Sequence, residues 1–174
     1  MNNKGMTLIE IVIVIAIIAI VGTSAFVGVE SISSQNVSSV ASEINSNLAK
    51  ARLESLSKSA CYLHITADDK GDYYLLFNSS STVGSDIGTK IGSRKLNISY
   101  VTNAGVTKID SEDSIAIYFD RTSGKVTYYD DSASPMEISG VKGLKIDDGK
   151  KERNVIIVSN TGKHYVKETQ SVSE

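Results

Sequence analysis

Tryptophan is absent from the 174 residues, and proline and cysteine occur once each, as Pro135 and Cys61. A single cysteine excludes a disulfide framework and any zinc cage built from paired CxxC motifs. Neither sign of charge dominates: 18 Lys+Arg against 20 Asp+Glu leave a net charge of −2, which argues against a strongly basic nucleic-acid binder. Histidine is scarce too. His64 and His164 stand 100 residues apart, each inside an alternating strand pattern, and a structural or surface role suits both. G-x-S-x-G and Gly-rich phosphate motifs are missing, so no catalytic constellation emerges and no cofactor is expected. What is present is 41% hydrophobic residues, enough for a core and too many for a wholly disordered chain. The length suits one domain, or one plus an appendage.

Those hydrophobic residues are distributed unevenly. Ile11 to Val29 is 19 residues without a charge, and nine of the eleven from Ile11 to Val21 are Ile or Val. Propensity alone reads such a β-branched run as a strand, but strands usually extend over about 3–10 residues. As a helix rising 1.5 Å per residue, the run covers roughly the hydrocarbon core of a bilayer. A membrane helix is the better reading. Lys4 precedes the run, whereas Glu30 and Glu43 follow it with no cation before Lys50, so the N-terminus is expected in the cytoplasm. A conventional signal peptide fits poorly, because no small-x-small cleavage site follows the run. Glu10 is the anomaly: a carboxylate at the entry of a membrane helix is costly and needs a partner.

Lys4-Gly5-Met6-Thr7-Leu8-Ile9-Glu10, followed at once by the Ile/Val/Ala run, resembles the class III leader of type IV pilins and type II secretion pseudopilins. The resemblance implies a leader at 1–5, cleavage between Gly5 and Met6 by an inner-membrane prepilin peptidase, and N-methylation of Met6. It also implies assembly roles for Thr7 and Glu10, the glutamate pairing with the terminal amine of a neighbouring subunit. Three departures stand out. Met6 replaces the usual Phe, the leader has only five residues, and the proline of many major pilins is missing, with Val27 near its place.

Beyond the run, no Gly or Pro occurs from Val29 to Lys70, so the helix is expected to continue to about Ala60. Val37, Val40, Ala41, Ile44, Leu48, Ala51 and Leu56 form an apolar stripe at mostly three- and four-residue steps. Lys50 and Glu54, then Glu54 and Lys58, sit at i,i+4. From Cys61 the period becomes two. Strands are expected at Cys61–Thr66, Tyr73–Phe77, Lys95–Val101, Ser114–Phe119, Val126–Tyr129, Gly143–Ile146, Val155–Val158 and His164–Val166. Asp120–Gly124 and Asn160–Gly162 read as hairpin turns, Asn78–Ser93 as a loop and Gln170–Glu174 as a polar tail. The expected architecture is therefore α+β. A long N-terminal helix over 6–60, membrane-inserted at 6–29, packs on an antiparallel β-sheet head at 61–174, the pilin fold.

Shorter motifs narrow the resemblance. Leu48–Ser55 (LAKARLES), Ile117–Gly124 (IYFDRTSG) and Val158–Lys163 (VSNTGK) are similar to segments of H-type minor pseudopilins and FimT-like minor pilins. A minor pilin or pseudopilin that works by assembly is the implied function. Its partners would be other pilin subunits, the prepilin peptidase, the inner-membrane assembly platform and the membrane. Its location would be the cytoplasmic membrane, then a filament on the cell surface. The alternatives are an abundant major pilin, a DNA- or surface-binding pilin and, last, a membrane-anchored enzyme. DNA binding would draw on Lys142, Lys145, Lys150, Lys151, Arg153, Lys163 and Lys167, against a head that from Ala60 onward has 14 basic and 16 acidic residues. The Asp68–Asp72 cluster and Asp147-Asp148-Gly149 read as turns rather than calcium loops, since the remaining ligands of an EF loop are missing. No metal is expected, and Cys61 reads as a small buried hydrophobe.

Overall fold

The computed structural model describes residues 8–57, 60–82, 88–111, 113–130 and 135–168, the side chains at 8, 16 and 18–36 excepted. Gly5, Met6, Thr7, Lys58 and the tail 170–174 lie outside the described residues. The chain divides into two compact units, Met1–Gln35 and Asn36–Glu174.

Helix α1 is assigned to Leu8–Ser57. In the second unit its stripe does what the spacing requires: Val37, Val40, Ala41, Ile44, Leu48 and Ala51 are all buried. A fully buried Ile or Leu contributes about 1.5–3 kcal/mol, so Ile44 and Leu48 anchor the helix most strongly. One expected stripe member is corrected. Leu56 is 46% exposed, and Ser55 takes the buried position instead. Four residues on from Ala51 keeps the helical phase, and five turns Leu56 out of it. Ser55 is tolerated there because its hydroxyl donates to the Cys61 carbonyl at 3.3 Å.

Among the described residues ten strands follow: β1 (Tyr62–Ala67), β2 (Tyr73–Asn78), β3 (Thr89–Gly92), β4 (Asn97–Val101), β5 (Val106–Lys108), β6 (Ser114–Phe119), β7 (Val126–Asp130), β8 (Gly143–Asp147), β9 (Glu152–Val158) and β10 (Lys163–Glu168). They form two five-stranded sheets, ordered β3-β2-β1-β6-β7 and β10-β9-β8-β4-β5. Every pairing between these strands is antiparallel. The head is thus α+β with a helix packed on antiparallel sheets, two of them where one was expected.

Two short strands were not anticipated. Strand β3 lies in the segment read as a loop and buries only Ile91; β5 is exposed at all three residues. Neither is long enough to display alternation. The core lies between the stripe of α1 and the inner faces of both sheets, represented by Ile65 and Ile117 from the first and Ile98 and Ile146 from the second. Tyr73 ties the sheets together. Its hydroxyl donates to the Ile109 carbonyl at 3.1 Å and accepts from the Ile98 N–H at 3.3 Å.

Candidate functional site

Of the expected assembly residues, Glu10 is described. It is exposed in the first turn of α1, where a carboxylate is favoured by the helix dipole. Around it Ile9, Ile11, Val12, Ile13, Val14, Ile15 and Ile17 are each 45–66% exposed. Consecutive apolar residues on all sides of a helix do not make an amphipathic surface; they call for apolar surroundings on every side. Among the described residues no helix is long and apolar enough to cross a membrane. Most side chains of the run from Ile11 to Val29 fall outside that description.

In the second unit, the three short motifs converge. The β6–β7 turn is built on Asp120, whose carboxylate accepts from the Thr122 N–H at 3.1 Å and from the Ser123 N–H and hydroxyl, both at 2.7 Å. The Ser123 bonds are the main reason the Asp120 carboxyl is held below its ordinary value. Gly124 closes the turn at φ +70°. The β9–β10 turn closes on Gly162 at φ +64°, whose N–H reaches the Val158 carbonyl at 2.8 Å. The two turns then lock together. The Val126 N–H donates to the Ser159 carbonyl at 2.7 Å, and the Arg52 guanidinium of α1 donates to the Thr161 carbonyl at 3.1 Å. A Cβ on Gly162 would lie 2.6 Å from the Gly124 carbonyl oxygen and 3.1 Å from the Phe119 ring. Arg52 and Thr161, 109 positions apart, thus join the helix to the second sheet, and the Val126–Ser159 bond joins that sheet's turn to the first. The junction holds α1 on the head.

The remaining candidates are taken up by structure. Cys61 is buried and donates to a Glu54 carboxylate oxygen at 3.2 Å. Burial first, and Glu54 second, push its thiol up to about 12, which disfavours the thiolate. Buried His64 makes a 2.9 Å hydrogen bond between Nε2 and the Ser80 carbonyl; His164 contacts the Gly162 carbonyl at 3.0 Å and the Phe119 ring edge-on.

Asp68 organises a turn, accepting from the N–H groups of Lys70 at 3.0 Å and Asp72 at 2.7 Å, and Asp72 pairs with Lys90. Asp148 likewise accepts from the N–H groups of Lys150 and Lys151. Among the described residues no group of three or more His, Cys, Asp or Glu could hold a metal ion. Among the late cations Lys145 pairs with Glu152 and Arg153 with Glu168, which weakens a continuous basic patch. The structure adds an apolar groove on the second sheet that sequence reasoning missed, because its lining is set by cross-strand register.

No curated protein and no solved structure matches the chain. Residues 1–26 match the family model of the prokaryotic N-terminal methylation motif, and through that motif the chain carries the signal of type IV pilins and pseudopilins.

Proposed function

We propose that this chain is a structural subunit of a type IV pilus or type II secretion pseudopilus, a minor pilin or pseudopilin acting by assembly rather than catalysis. The observation that carries the reading is the methylation motif matched over residues 1–26, which takes in most of the apolar run from Ile11 to Val29. The rest follows from that placement. The precursor sits once in the cytoplasmic membrane, N-terminus inside, with the helix over 6–29 in the bilayer. Prepilin peptidase cuts after Gly5, Met6 is methylated, and the assembly platform extracts the helix into a filament core. Thr7 and Glu10 act there, and the head at 61–174 lies on the filament surface. The minor-subunit assignment rests on the resemblance of the motifs around Arg52, Phe119 and Gly162.

The test is the distribution and copy number of the chain between membranes and sheared filaments, measured by quantitative mass spectrometry. The proposal expects the chain in the filament fraction at low stoichiometry. High stoichiometry would make it a major pilin, and absence from filaments would overturn the reading.

A further inference from the structure

The β8–β9 hairpin sets three polar side chains on the outward face of the second sheet. The Asp148 N–H donates to the Lys151 carbonyl at 3.2 Å and the Ile157 N–H to the Lys142 carbonyl at 2.9 Å, and the register between these bonds is unbroken. Hydrogen-bonded and non-hydrogen-bonded pairs alternate along such a ladder. Lys145 and Asn154 are therefore a non-hydrogen-bonded pair, the closer kind, with Cα atoms about 4.5 Å apart. Glu152 precedes Asn154 by two residues and shares its face. Leu144, Ile146 and Val155 point the other way and are buried in the core.

One carboxylate bridges the other two groups. Glu152 Oε2 meets the Lys145 ammonium at 2.7 Å, and Glu152 Oε1 accepts from the Asn154 carboxamide nitrogen at 2.9 Å. An amine, a carboxamide and a proton carrier are thus assembled side by side on adjacent strands. The Lys145 and Glu152 side chains are only 29% and 31% exposed. With Asn154 they line a groove of about 320 Å³ that also takes in Lys142 and the apolar side chains of Val101, Val106 and Ile156.

We propose that Lys145 and Asn154 become joined by an intramolecular isopeptide bond, with Glu152 as the proton carrier. The Lys145 ammonium passes one proton to Glu152 Oε2, and the freed lone pair attacks Asn154 Cγ to form the Nζ–Cγ bond. Glu152 Oε1 returns a proton to Nδ2, the Cγ–Nδ2 bond breaks, and the departing ammonia takes a second proton from Nζ. Ammonium and carboxamide thus become a Lys–Asn amide and a free ammonium ion, with no oxidant or cofactor consumed. Holding the reactants in contact replaces a bimolecular encounter, which is the largest advantage such a site offers. The Glu152 hydrogen bond also holds the Lys145 amine above its ordinary pKa, with Asp147 adding to it, so the bond forms slowly in the folded chain. The loop it closes is short, so it adds little to equilibrium stability. Its effect is to keep β9 from peeling off β8, and β9 carries β10 and the turn that accepts the Arg52 guanidinium. None of this depends on how the chain assembles.

Tryptic peptide mapping of the full chain, extracted from membranes and denatured before digestion, tests this by mass spectrometry. The native chain is expected to give Gly143–Lys150 joined to Asn154–Lys163, lighter than the two peptides together by one ammonia and uncut at Lys145. Lys145→Arg keeps the ion pair without the amine, and Glu152→Gln removes the proton carrier. Both variants are expected to release Asn154–Lys163 unlinked while keeping the native circular dichroism spectrum. A native digest with Asn154–Lys163 only in unlinked form would overturn the proposal. So would loss of ammonia within a single peptide, as ring closure at an asparagine gives. A joined peptide persisting in Glu152→Gln would overturn the part given to Glu152. The native digest decides the bond by itself, so a variant that fails to fold leaves the test intact.

Discussion

Glu10→Ala is expected to insert into the membrane and to be cleaved after Gly5 like the native chain, yet to be lost from filaments. The substitution makes an apolar segment more apolar, so anchoring does not suffer. Assembly is different. On the proposed maturation, cleavage after Gly5 would leave a cationic amine at Met6, four residues before Glu10 in sequence. When apolar helices pack together, amine and carboxylate are each costly to bury alone and neutralise one another across neighbouring subunits. Removing the acceptor leaves a buried cation, at a cost of about 3–5 kcal/mol per contact. At 1.4 kcal/mol per decade, incorporation falls by about a hundredfold or more. Immunoblots of membrane and sheared-filament fractions check both halves. Incorporation at the native level would remove Glu10 from the assembly mechanism.

The largest effect on stability is expected at Gly143→Ala. Gly143 sits mid-sheet at φ +155°, paired to Val101 on one side and Ile156 on the other. An added Cβ would lie 2.1 Å from the Val155 carbonyl oxygen and 3.1 Å from the Ile156 Cα. Both are backbone atoms, so the clash is relieved only by pulling β8 from β9, where Val155 and Ile157 are buried core residues. Overpacking of this kind costs about 3 kcal/mol or more, a drop of roughly 10 °C in Tm for a unit of this size. Gly149→Ala is the control: its φ of +82° is also left-handed, but nothing lies within 4 Å of the added Cβ. It should cost about 1 kcal/mol. Thermal unfolding of residues 36–174 followed by circular dichroism compares them, and equal losses would contradict the packing argument.

How much the chain discloses in advance depends on the range over which each signal acts. The methylation motif is a short linear segment, so Gly5, Met6 and Glu10 stand out without any knowledge of the fold. Local periodicity is equally readable. The stripe from Val37 to Ala51 and strand β6 (Ser114–Phe119) fall where their spacing puts them. The turns at Asp120–Gly124 and Asn160–Gly162 do so too, because Asp and Gly determine them locally.

Cooperative features are harder to see. Leu56 is apolar but out of phase, and hydrophobicity alone favoured it over the buried Ser55. Strand β5 exists because Val106–Lys108 finds β4 across the turn at Gly105, not because of any pattern within three residues. The division into two sheets, the meeting of Arg52 with Thr161 and the groove over Gly143 all arise from pairings distant in sequence.

The proposed function requires that this chain be a prepilin matured at Gly5. Intact-mass and N-terminal peptide mass spectrometry of the protein from membranes or filaments tests it most directly. The account predicts loss of residues 1–5 and one added methyl group on a new N-terminus at Met6. A protein that retains Met1 and Lys4, or one cut instead near Ser24 or Ala25, would contradict it.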